Sequence, residues 1–330
     1  MNFPENIWYR RFGLAAACLS PLSLLFALLS ALRRLAYRCG LLKRHSFPVP
    51  VIVVGNISVG GTGKTPMTLA LLARLQAAGW KPGVVSRGYG GTAGYPLLVA
   101  AGTTAAEAGD EPCLLAARST CPVVVDPDRV RAVRYLLAQT DVNVVISDDG
   151  MQHYAMGRDI EIAVIDAQRR LGNGWLLPAG PLRESAWRLQ KVDAVIVNGG
   201  RDDEAAMQLI QTEAVNLADG GKRPLAFFAG KTIHAIAAIG NPQRFFDQLR
   251  AAGLEVAEHA FADHHAFTGP ELENFRGSVV LMTEKDAVKC RGIAPPDSWY
   301  VPVEAIFNAR AENALASLLE RLNTIRKSDG

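Results

Sequence analysis

The residues that most directly predict chemistry form a glycine-rich loop between an apolar run and a helix start. The loop reads Gly60-Gly61-Thr62-Gly63-Lys64-Thr65 and follows the run Val51–Val54. Glycines allow backbone N–H groups to turn inward around phosphate oxygens, and the positive end of the helix dipole adds to the attraction. In such a loop the lysine reaches the β- and γ-phosphates and the threonine hydroxyl ligates Mg²⁺. The pattern therefore predicts a P-loop that binds ATP and Mg²⁺ through Lys64 and Thr65.

One position departs from the usual P-loop spacing. Ser58 stands where the first glycine of the common pattern is expected, although the strand before the loop and the helix after it keep the expected context. Pro66 suits the first helical turn, where its missing N–H has no cost. The predicted phosphate-binding residues are Ser58, Val59, Gly60, Gly61, Thr62, Gly63, Lys64 and Thr65.

An acidic pair at the end of a second apolar run supplies the other half of a metal site. The run Val144–Ser147 is followed directly by Asp148 and Asp149. A P-loop protein holds Mg²⁺ with an acid at the end of a nearby strand, either directly or through water. An apolar strand ending in Asp is common, so the assignment depends on the P-loop. Either Asp148 or Asp149 is the predicted ligand.

Composition and charge limit the classes of protein to which the chain can belong. Its 330 residues are 49% hydrophobic, which excludes a disordered chain, while 20% charged residues exclude a polytopic membrane protein. The five cysteines form no CxxC pair, which is typical of reduced thiols in the cytosol. The net charge of +3 is unevenly distributed, because residues 1–50 hold one acid, Glu5, and seven basic residues. These basic residues are Arg10, Arg11, Arg33, Arg34, Arg38, Lys43 and Arg44.

The basic segment also contains an uncharged run from Phe12 to Leu32. A helix of this length would be about 30 Å long, which is enough to cross a bilayer. Pro21 and several serines soften the run, so we favour a helix lying in the membrane interface over a spanning helix. A buried core helix is the third alternative. Arginines on both sides suit phospholipid headgroups, and we therefore expect a membrane surface rather than nucleic acid as partner.

The remaining sequence alternates short apolar strands with helices, which is typical of a mostly parallel α/β sheet covered by helices on both faces. Residues 87–109 are rich in Gly and Thr and predict a long functional loop. The Gly/Asp-rich stretch Asp219–Gly221 predicts a domain boundary. We therefore expect three parts: an N-terminal membrane-associating helix at 1–47, a P-loop domain at 48–220, and a smaller α/β domain at 221–330.

The motifs argue against two classes of P-loop protein, the partitioning ATPases and the GTPases. Partitioning ATPases that switch their partners carry a signature lysine just before the glycine pair, where this chain has Val59. GTPases need an N/T-K-x-D motif for guanine, whereas Thr283-Glu284-Lys285-Asp286 has these letters in another order. A membrane-associated switch ATPase remains the alternative function, and a soluble small-molecule kinase or ligase with a core N-terminal helix is the second.

An ordered series of short motifs covers essentially the whole chain and resembles the tetraacyldisaccharide 4'-kinase family of lipid A biosynthesis. The series is Gly55-Asn56, Gly60–Pro66, Ser86-Arg87-Gly88-Tyr89-Gly90, Gly109-Asp110-Glu111-Pro112, Asp126-Pro127-Asp128-Arg129, Asp148-Asp149-Gly150-Met151-Gln152-His153, Pro181-Leu182-Arg183-Glu184, Phe261-Ala262-Asp263-His264-His265 and Thr283-Glu284-Lys285-Asp286. Met151 stands where the family pattern has an aromatic residue. The resemblance implies a kinase with a P-loop domain and a smaller α/β domain. It also implies transfer of the ATP γ-phosphate to the 4'-hydroxyl of a tetraacylated glucosamine disaccharide 1-phosphate.

The resemblance also implies roles for individual residues. Asp110, which local sequence would equally explain as a helix N-cap, becomes the expected catalytic base, with His264 paired to it across the cleft. Lys64 completes the predicted catalytic set, and Glu184 is expected near the nucleotide. A basic residue at a helix start opposes the helix dipole, which favours a substrate or phosphate contact for Arg129. The expected substrate-side residues are Asn56, Arg87, Tyr89, Arg129, Gln152 and His153, with a structural role as the alternative for Gln152 and His153.

The expected partners follow from the same resemblance. They are the glycolipid substrate and a membrane surface, and we expect neither nucleic acid nor an obligatory protein partner. The expected location is the cytoplasmic face of the inner membrane, where the chain would be peripheral or monotopic.

Overall fold

The computed structural model describes residues 7–9 and 13–328, and its contacts divide the chain into two compact units. The first unit comprises residues 1–87, 128–208 and 306–330, and the second comprises 88–127 and 209–305. The chain therefore passes between units several times, whereas the sequence analysis divided it once, near residue 220. The domain bounds predicted from the sequence remain a prediction. Glu5, Arg10 and Arg11 of the basic segment and Phe12 of the apolar run lie outside the described residues.

The strands and helices alternate as the sequence indicated. In chain order the strands are β1 (Val51–Gly55), β2 (Pro82–Ser86), β3 (Leu97–Leu98), β4 (Val123–Val125), β5 (Val144–Asp148), β6 (Ile160–Asp166), β7 (Ala194–Asn198), β8 (Ala206–Ile210), β9 (Glu213–Asn216), β10 (Lys222–Pro224), β11 (Thr232–Ala237), β12 (Glu255–Ala260), β13 (Val279–Thr283), β14 (Ser298–Val301) and β15 (Glu304–Phe307). The α-helices are α1 (Leu14–Arg38), α2 (Lys64–Ala77), α3 (Ala105–Ala108), α4 (Asp110–Arg118), α5 (Arg129–Gln139), α6 (Pro242–Ala251), α7 (Gly269–Glu273), α8 (Glu284–Cys290) and α9 (Ala309–Ser328). Short 3-10 helices span Ala186–Lys191 and Leu225–Phe228.

A parallel sheet in the order β8-β7-β6-β1-β5-β2 forms the centre of the first unit. Its central strands β1, β5 and β6 are buried along their whole length, which is why they appear in the sequence as continuous apolar runs. Helix α9 returns to this unit at the end of the chain, where Arg74 of α2 binds Glu312 at 2.6 Å. The predicted mostly parallel α/β fold is confirmed.

The second unit has its own sheet, in the order β10-β9-β14-β13-β11-β12. Strands β14, β13, β11 and β12 are parallel, and β9 and β10 form an antiparallel hairpin at one edge. The core on this sheet includes Phe228, Phe246 and Trp299, and the rings of Phe228 and Trp299 meet edge to face at 5.2 Å. The unit therefore has a hydrophobic core of its own.

Two segments that the sequence indicated as irregular carry structure. The predicted loop at 87–109 contains β3 and α3, and α3 starts with a capping box between Thr104 and Glu107. The stretch Asp219–Gly221 is the turn between β9 and β10, where the Asp219 carboxylate accepts a hydrogen bond from the Gly221 N–H at 2.7 Å. Gly and Asp are common both in tight turns within a domain and in linkers between domains. Composition alone therefore does not distinguish a turn from a linker at this position.

Helix α1 is long and apolar enough to cross a membrane by length and composition, and among the described residues it is the one helix of which this is true. Only 11% of its most apolar window is buried, so the alternative of a buried core helix is not supported. Leu24, Leu28 and Leu29 are each more than half exposed. Ser23 is the polar exception, because its hydroxyl donates to the Leu176 carbonyl at 2.8 Å and accepts from the Ala179 N–H at 2.9 Å.

This attachment leads to a test of how α1 is held. Replacing Ser23 by Ala removes both bonds, and each buried backbone group left unpaired costs about 1–3 kcal/mol. We expect a lower melting temperature for Ser23→Ala in thermal denaturation of the full chain in detergent. Ser20→Ala is the matched control, since the exposed Ser20 hydroxyl bonds within α1 to the Ala17 carbonyl. Equal melting temperatures for the two variants would contradict the attachment.

Candidate active site

The parallel register of the first unit brings the P-loop and the acidic pair together. Val54, near the end of β1, lies opposite Asp148, the last residue of β5. Strands that run in parallel end at the same edge of the sheet, where loops that bind ligands gather. The loop after β1 and the acids after β5 therefore share this edge.

The P-loop is shaped by two glycines in the left-handed region, Gly60 (φ 111°) and Gly63 (φ 95°). A Cβ atom at Gly63 would approach the Met207 Cε within 2.7 Å and the Asn198 Nδ2 within 2.8 Å, so only glycine fits there. Asn198 supports the loop by donating from Nδ2 to the Thr62 carbonyl at 3.2 Å. Helix α2 begins directly after Gly63, which has no side chain to cap the helical N–H groups. These groups and the helix dipole suit an anion.

The flank of the loop is also fixed. The Val59 N–H donates to the Pro181 carbonyl at 2.9 Å, and Ser58 forms a β-bridge with Leu182. Asn56 is buried and donates weakly from Nδ2, at 3.4 Å, to both the Gly60 carbonyl and the Thr62 hydroxyl. The predicted substrate residue Asn56 thus lies beneath the P-loop, and its role toward substrate remains a prediction.

Asp149 lies between two cations. Its carboxylate is 3.7 Å from the Lys64 Nζ and 3.0 Å from the Arg183 Nη1. Burial would raise the pKa of Asp149, but the charges of Lys64 and Arg183 outweigh it and hold the pKa below its usual value. Asp149 also has a positive φ of 50°, which is uncommon for a residue other than glycine and is concentrated at functional sites. An ionised carboxylate is therefore maintained beside the P-loop lysine.

Asp148 is turned toward the interior of the first unit. It is 1% exposed, and its Oδ1 accepts from the Thr68 hydroxyl at 3.2 Å. Its backbone carbonyl accepts from Arg129 Nη2 at 3.2 Å. Arg129 is 2% exposed, so its side chain is buried although it is the first residue of α5. Helix α5 is capped instead by Asp128, whose carboxylate accepts from the Val130 and Arg131 N–H groups.

Gln152 connects two other predicted site residues, Asn56 and Glu184. Its Nε2 donates to the Asn56 carbonyl at 3.1 Å and to Glu184 Oε1 at 2.7 Å. Glu184 is 3% exposed, and it also accepts a hydrogen bond from the Tyr154 hydroxyl and pairs with Arg188 at 3.3 Å. The buried Glu184 and the half-buried Gln152 therefore support each other beside the P-loop flank, and the expected contact of Glu184 with nucleotide remains a prediction.

The predicted substrate residues His153 and Arg87 lie in the first unit. Burial, followed by the charges of Arg129 and Arg87, lowers the pKa of His153 to about 4. The imidazole is therefore neutral at physiological pH and can both donate and accept hydrogen bonds. Arg87 directly follows β2 and is exposed, and its role toward substrate remains a prediction.

The predicted base and its partner both belong to the second unit and lie together there. Asp110 is the first residue of α4, and its Oδ2 is 2.9 Å from the Nδ1 of His264. His264 has a φ of 60°, and its N–H donates to the Ala238 carbonyl at 3.2 Å. The exposed ring of Tyr89 lies 5.5 Å from the His264 ring, centroid to centroid. The contact between Asp110 and His264 is thus made within one unit, not across a cleft, and their catalytic roles remain predictions.

Several residues that hold these groups were not predicted from the sequence. Asn198 ends an apolar strand with a polar residue, which is the signal that drew attention to Asp148. Arg183 was noted only as a part of a motif, although its guanidinium binds Asp149. Thr68 and Lys289 gave no local signal, because their partners Asp148 and Asp110 are distant in the chain.

Residues 15–322 match the family described as LpxK: tetraacyldisaccharide-1-P 4'-kinase. The chain belongs to this family. A tetraacyldisaccharide 4'-kinase of Tolumonas auensis is 50% identical over 99% of each chain. One of Stenotrophomonas maltophilia is 51% identical over 90% of this chain and 91% of its own. The predicted family and the assignment as a kinase are confirmed.

A solved structure of the family supports the fold. LpxK from Aquifex aeolicus, crystallised in complex with ATP, matches with a TM-score of 0.79 and 28% identity over 94% of this chain and 99% of that one.

The geometry around Lys64 leads to a direct test. Lys64→Ala should abolish kinase activity with little change in folding, because the ammonium neutralises charge that moves between phosphates during transfer. The loss should lie mainly in kcat, measured with saturating substrates. Lys81→Ala is the control, since Lys81 is exposed and pairs with the exposed Asp141. A Lys64→Ala enzyme with near-normal turnover would contradict the P-loop assignment.

Proposed function

We propose that this kinase transfers the γ-phosphate of ATP to the 4'-hydroxyl of a tetraacyldisaccharide 1-phosphate in lipid A biosynthesis. The observation that carries the proposal is the P-loop with Lys64 beside the ionised Asp149, in a chain whose family is named for this transfer. The relative from Aquifex aeolicus was crystallised with ATP, which supports ATP as the donor. The membership of the family supports the glycolipid as the acceptor.

In the proposed reaction the P-loop holds the triphosphate through its backbone N–H groups and Lys64. The acceptor oxygen attacks the γ-phosphorus in line, and the bond from phosphorus to the β,γ-bridging oxygen breaks to release ADP. The hydroxyl proton passes to Asp110. His264 holds Oδ2 of Asp110 at 2.9 Å, which orients the carboxylate so that its second oxygen can accept the proton.

A magnesium ion fits the donors near the P-loop. The Thr65 hydroxyl and the carboxylate of Asp148 or Asp149 are oxygen ligands of the kind that Mg²⁺ prefers. Within the described residues there is no group of three or more His, Cys, Asp or Glu side chains that could hold a metal. This agrees with Mg²⁺, which usually takes one or two carboxylates and completes its shell with water and phosphate. The ion would neutralise phosphate charge during transfer.

We place the enzyme at the cytoplasmic face of the inner membrane. The exposed leucines of α1 supply an apolar surface, and the exposed Arg33, Arg38 and Lys43 follow it with positive charge. Basic residues beside an apolar helix favour anionic headgroups, and the positive-inside rule favours the cytoplasmic side. An interfacial helix would hold the enzyme where its lipid-linked substrate lies.

The direct test is incubation of the full chain with ATP, Mg²⁺ and tetraacyldisaccharide 1-phosphate, followed by mass spectrometry. We expect a product heavier by one phosphate, and no product from an acceptor that lacks the 4'-hydroxyl. The competing function is a membrane-associated ATPase that switches a partner. It predicts ATP turnover that does not depend on the glycolipid, and this result would reject the proposal.

Removal of the acids should reveal the metal ligand. Asp148→Ala and Asp149→Ala should both lower turnover, and a higher Mg²⁺ concentration should partly restore the variant that has lost a ligand, since mass action offsets weaker binding. The measurement is kcat as a function of Mg²⁺ concentration. Asp141→Ala is the control, because the Asp141 carboxylate is exposed and pairs with Lys81. If neither variant alters turnover or its Mg²⁺ dependence, this pair does not hold the metal.

A double-mutant cycle tests the proposed base. Asp110→Asn should lower kcat by roughly 10²–10⁴-fold with little effect on the KM for ATP, because the amide cannot take the proton. His264→Ala should also be slow. The double variant should be far less impaired than the product of the two losses, since residues that act as one unit are not additive. Additive losses in log kcat would show that the two residues act independently.

A further inference from the structure

The motif Thr283-Glu284-Lys285-Asp286 has no part in the proposed reaction, yet it lies next to the proposed base in the second unit. Thr283 caps α8 by accepting the Asp286 N–H on its hydroxyl at 3.2 Å. Asp286 is 0% exposed, and its Oδ2 accepts from the Thr283 hydroxyl at 2.6 Å and from the Ala238 N–H at 3.0 Å. The buried carboxylate of Asp286 thus accepts two hydrogen bonds, and the Asp286 N–H is bound as well.

A buried lysine one turn later links this carboxylate to the proposed base. The Nζ of Lys289 lies 2.7 Å from Oδ1 of Asp286 and 3.8 Å from Oδ2 of Asp110. The Lys289 side chain is 7% exposed, and its ammonium is 5.2 Å from the centre of the Phe267 ring. One ammonium therefore lies between two carboxylates in a region largely shielded from water.

This arrangement balances charge around Asp110. Burying a charge is costly unless an opposite charge is near, and burying two like charges is more costly still. The ammonium of Lys289 lies within 4 Å of both Asp286 and Asp110 and so offsets the charge of both carboxylates. Loss of this ammonium would leave the repulsion between the two carboxylates uncompensated. The carboxylate of Asp110 would then lose an attraction that holds it in place beside His264.

The hydrogen bonds of Asp286 also reach the backbone of His264, the partner of Asp110. The Ala238 N–H donates to Asp286, and the Ala238 carbonyl accepts from the His264 N–H. A single residue of the segment after β11 therefore connects the loop that carries His264 to the carboxylate that holds Lys289. The buried carboxylate of Asp286 therefore holds both Lys289, whose charge faces Asp110, and the backbone segment that orients His264.

We propose that Lys289, held by Asp286, is a positioning residue that balances the charge of Asp110 and keeps its carboxylate aligned with His264 to accept the proton of the acceptor hydroxyl. This inference rests on the proposed function. It assigns Lys289 no contact with substrate, and its effect is exerted through Asp110.

A second ion pair joins the same two helices and provides a matched control. Arg118, the last residue of α4, binds the carboxylate of Glu284, the first residue of α8, at 2.9 and 3.0 Å. Asp110 is the first residue of α4, and Lys289 lies near the end of α8. Loss of Arg118 therefore removes an ion pair between these helices at the end away from Asp110.

The experiment compares Lys289→Met, Lys289→Arg, Asp286→Asn, the double variant Lys289→Met/Asp286→Asn, and Arg118→Met. The full chain is assayed for kcat, for the KM of ATP and for melting temperature. Lys289→Met should lower kcat on the order of tenfold or more, as a partial loss of general-base catalysis, and leave the KM of ATP nearly unchanged. Lys289→Arg should recover part of kcat. Arg118→Met should have a lower melting temperature than the unaltered enzyme but should retain its kcat.

The double variant separates charge balance from packing. It removes one positive and one negative charge, and so restores the balance of the unaltered cluster. We expect its kcat to exceed that of Lys289→Met, although it has lost one more native group. A kcat below that of Lys289→Met would overturn the inference, because a purely structural role predicts accumulating damage.

Two further outcomes distinguish this inference from the proposed function. A slow Asp110→Asn enzyme together with a Lys289→Met enzyme as active as Arg118→Met would overturn the role of Lys289 and leave the base in place. An active Asp110→Asn enzyme would overturn the base itself, and the role of Lys289 with it.

Discussion

The alignment of β1 with β5 sets the position of the charged groups around the P-loop. With Val54 opposite Asp148, the loop leaving β1 and the acids ending β5 must emerge at one edge of the sheet. The ion pair between Lys64 and Asp149 follows from this register, as does the contact of Arg183 with the same carboxylate. A slip of one residue would turn every side chain of the strand to the other face and separate these groups.

Each of the two units contains a carboxylate held beside positive or ionisable groups and next to an unusual backbone conformation. In the first unit Asp149 itself has a positive φ and lies between Lys64 and Arg183. In the second, Asp110 contacts His264, which has the positive φ, and lies near Lys289. Strained backbone persists only where surrounding bonds determine it, so both centres depend on the sheets and helices that support them.

The sequence was most informative where structure is local. The P-loop could be predicted because its glycines, lysine and flanking strand are consecutive, and the central strands because burial on both faces requires continuous apolar runs. Lys289 and Asn198 could not be assigned, since each acts on a group far away in the chain. Asp149 was found as an acid, but its left-handed conformation and its two cations appear only in the folded chain. The capped helix α3 was hidden in a segment whose composition indicated a loop.

The discontinuity of the first unit has a consequence for how the chain is made. Domains generally fold as units while synthesis proceeds from the N-terminus. The first unit cannot be completed in this way, because α9 is at the end of the chain and contributes Glu312 to the pair with Arg74, and Arg321 to a 2.7 Å bond with the Asp159 carbonyl. The second unit is complete at residue 305, before the last helix of the first has been synthesised. The nascent P-loop sheet therefore lacks α9 until the whole second unit has been synthesised.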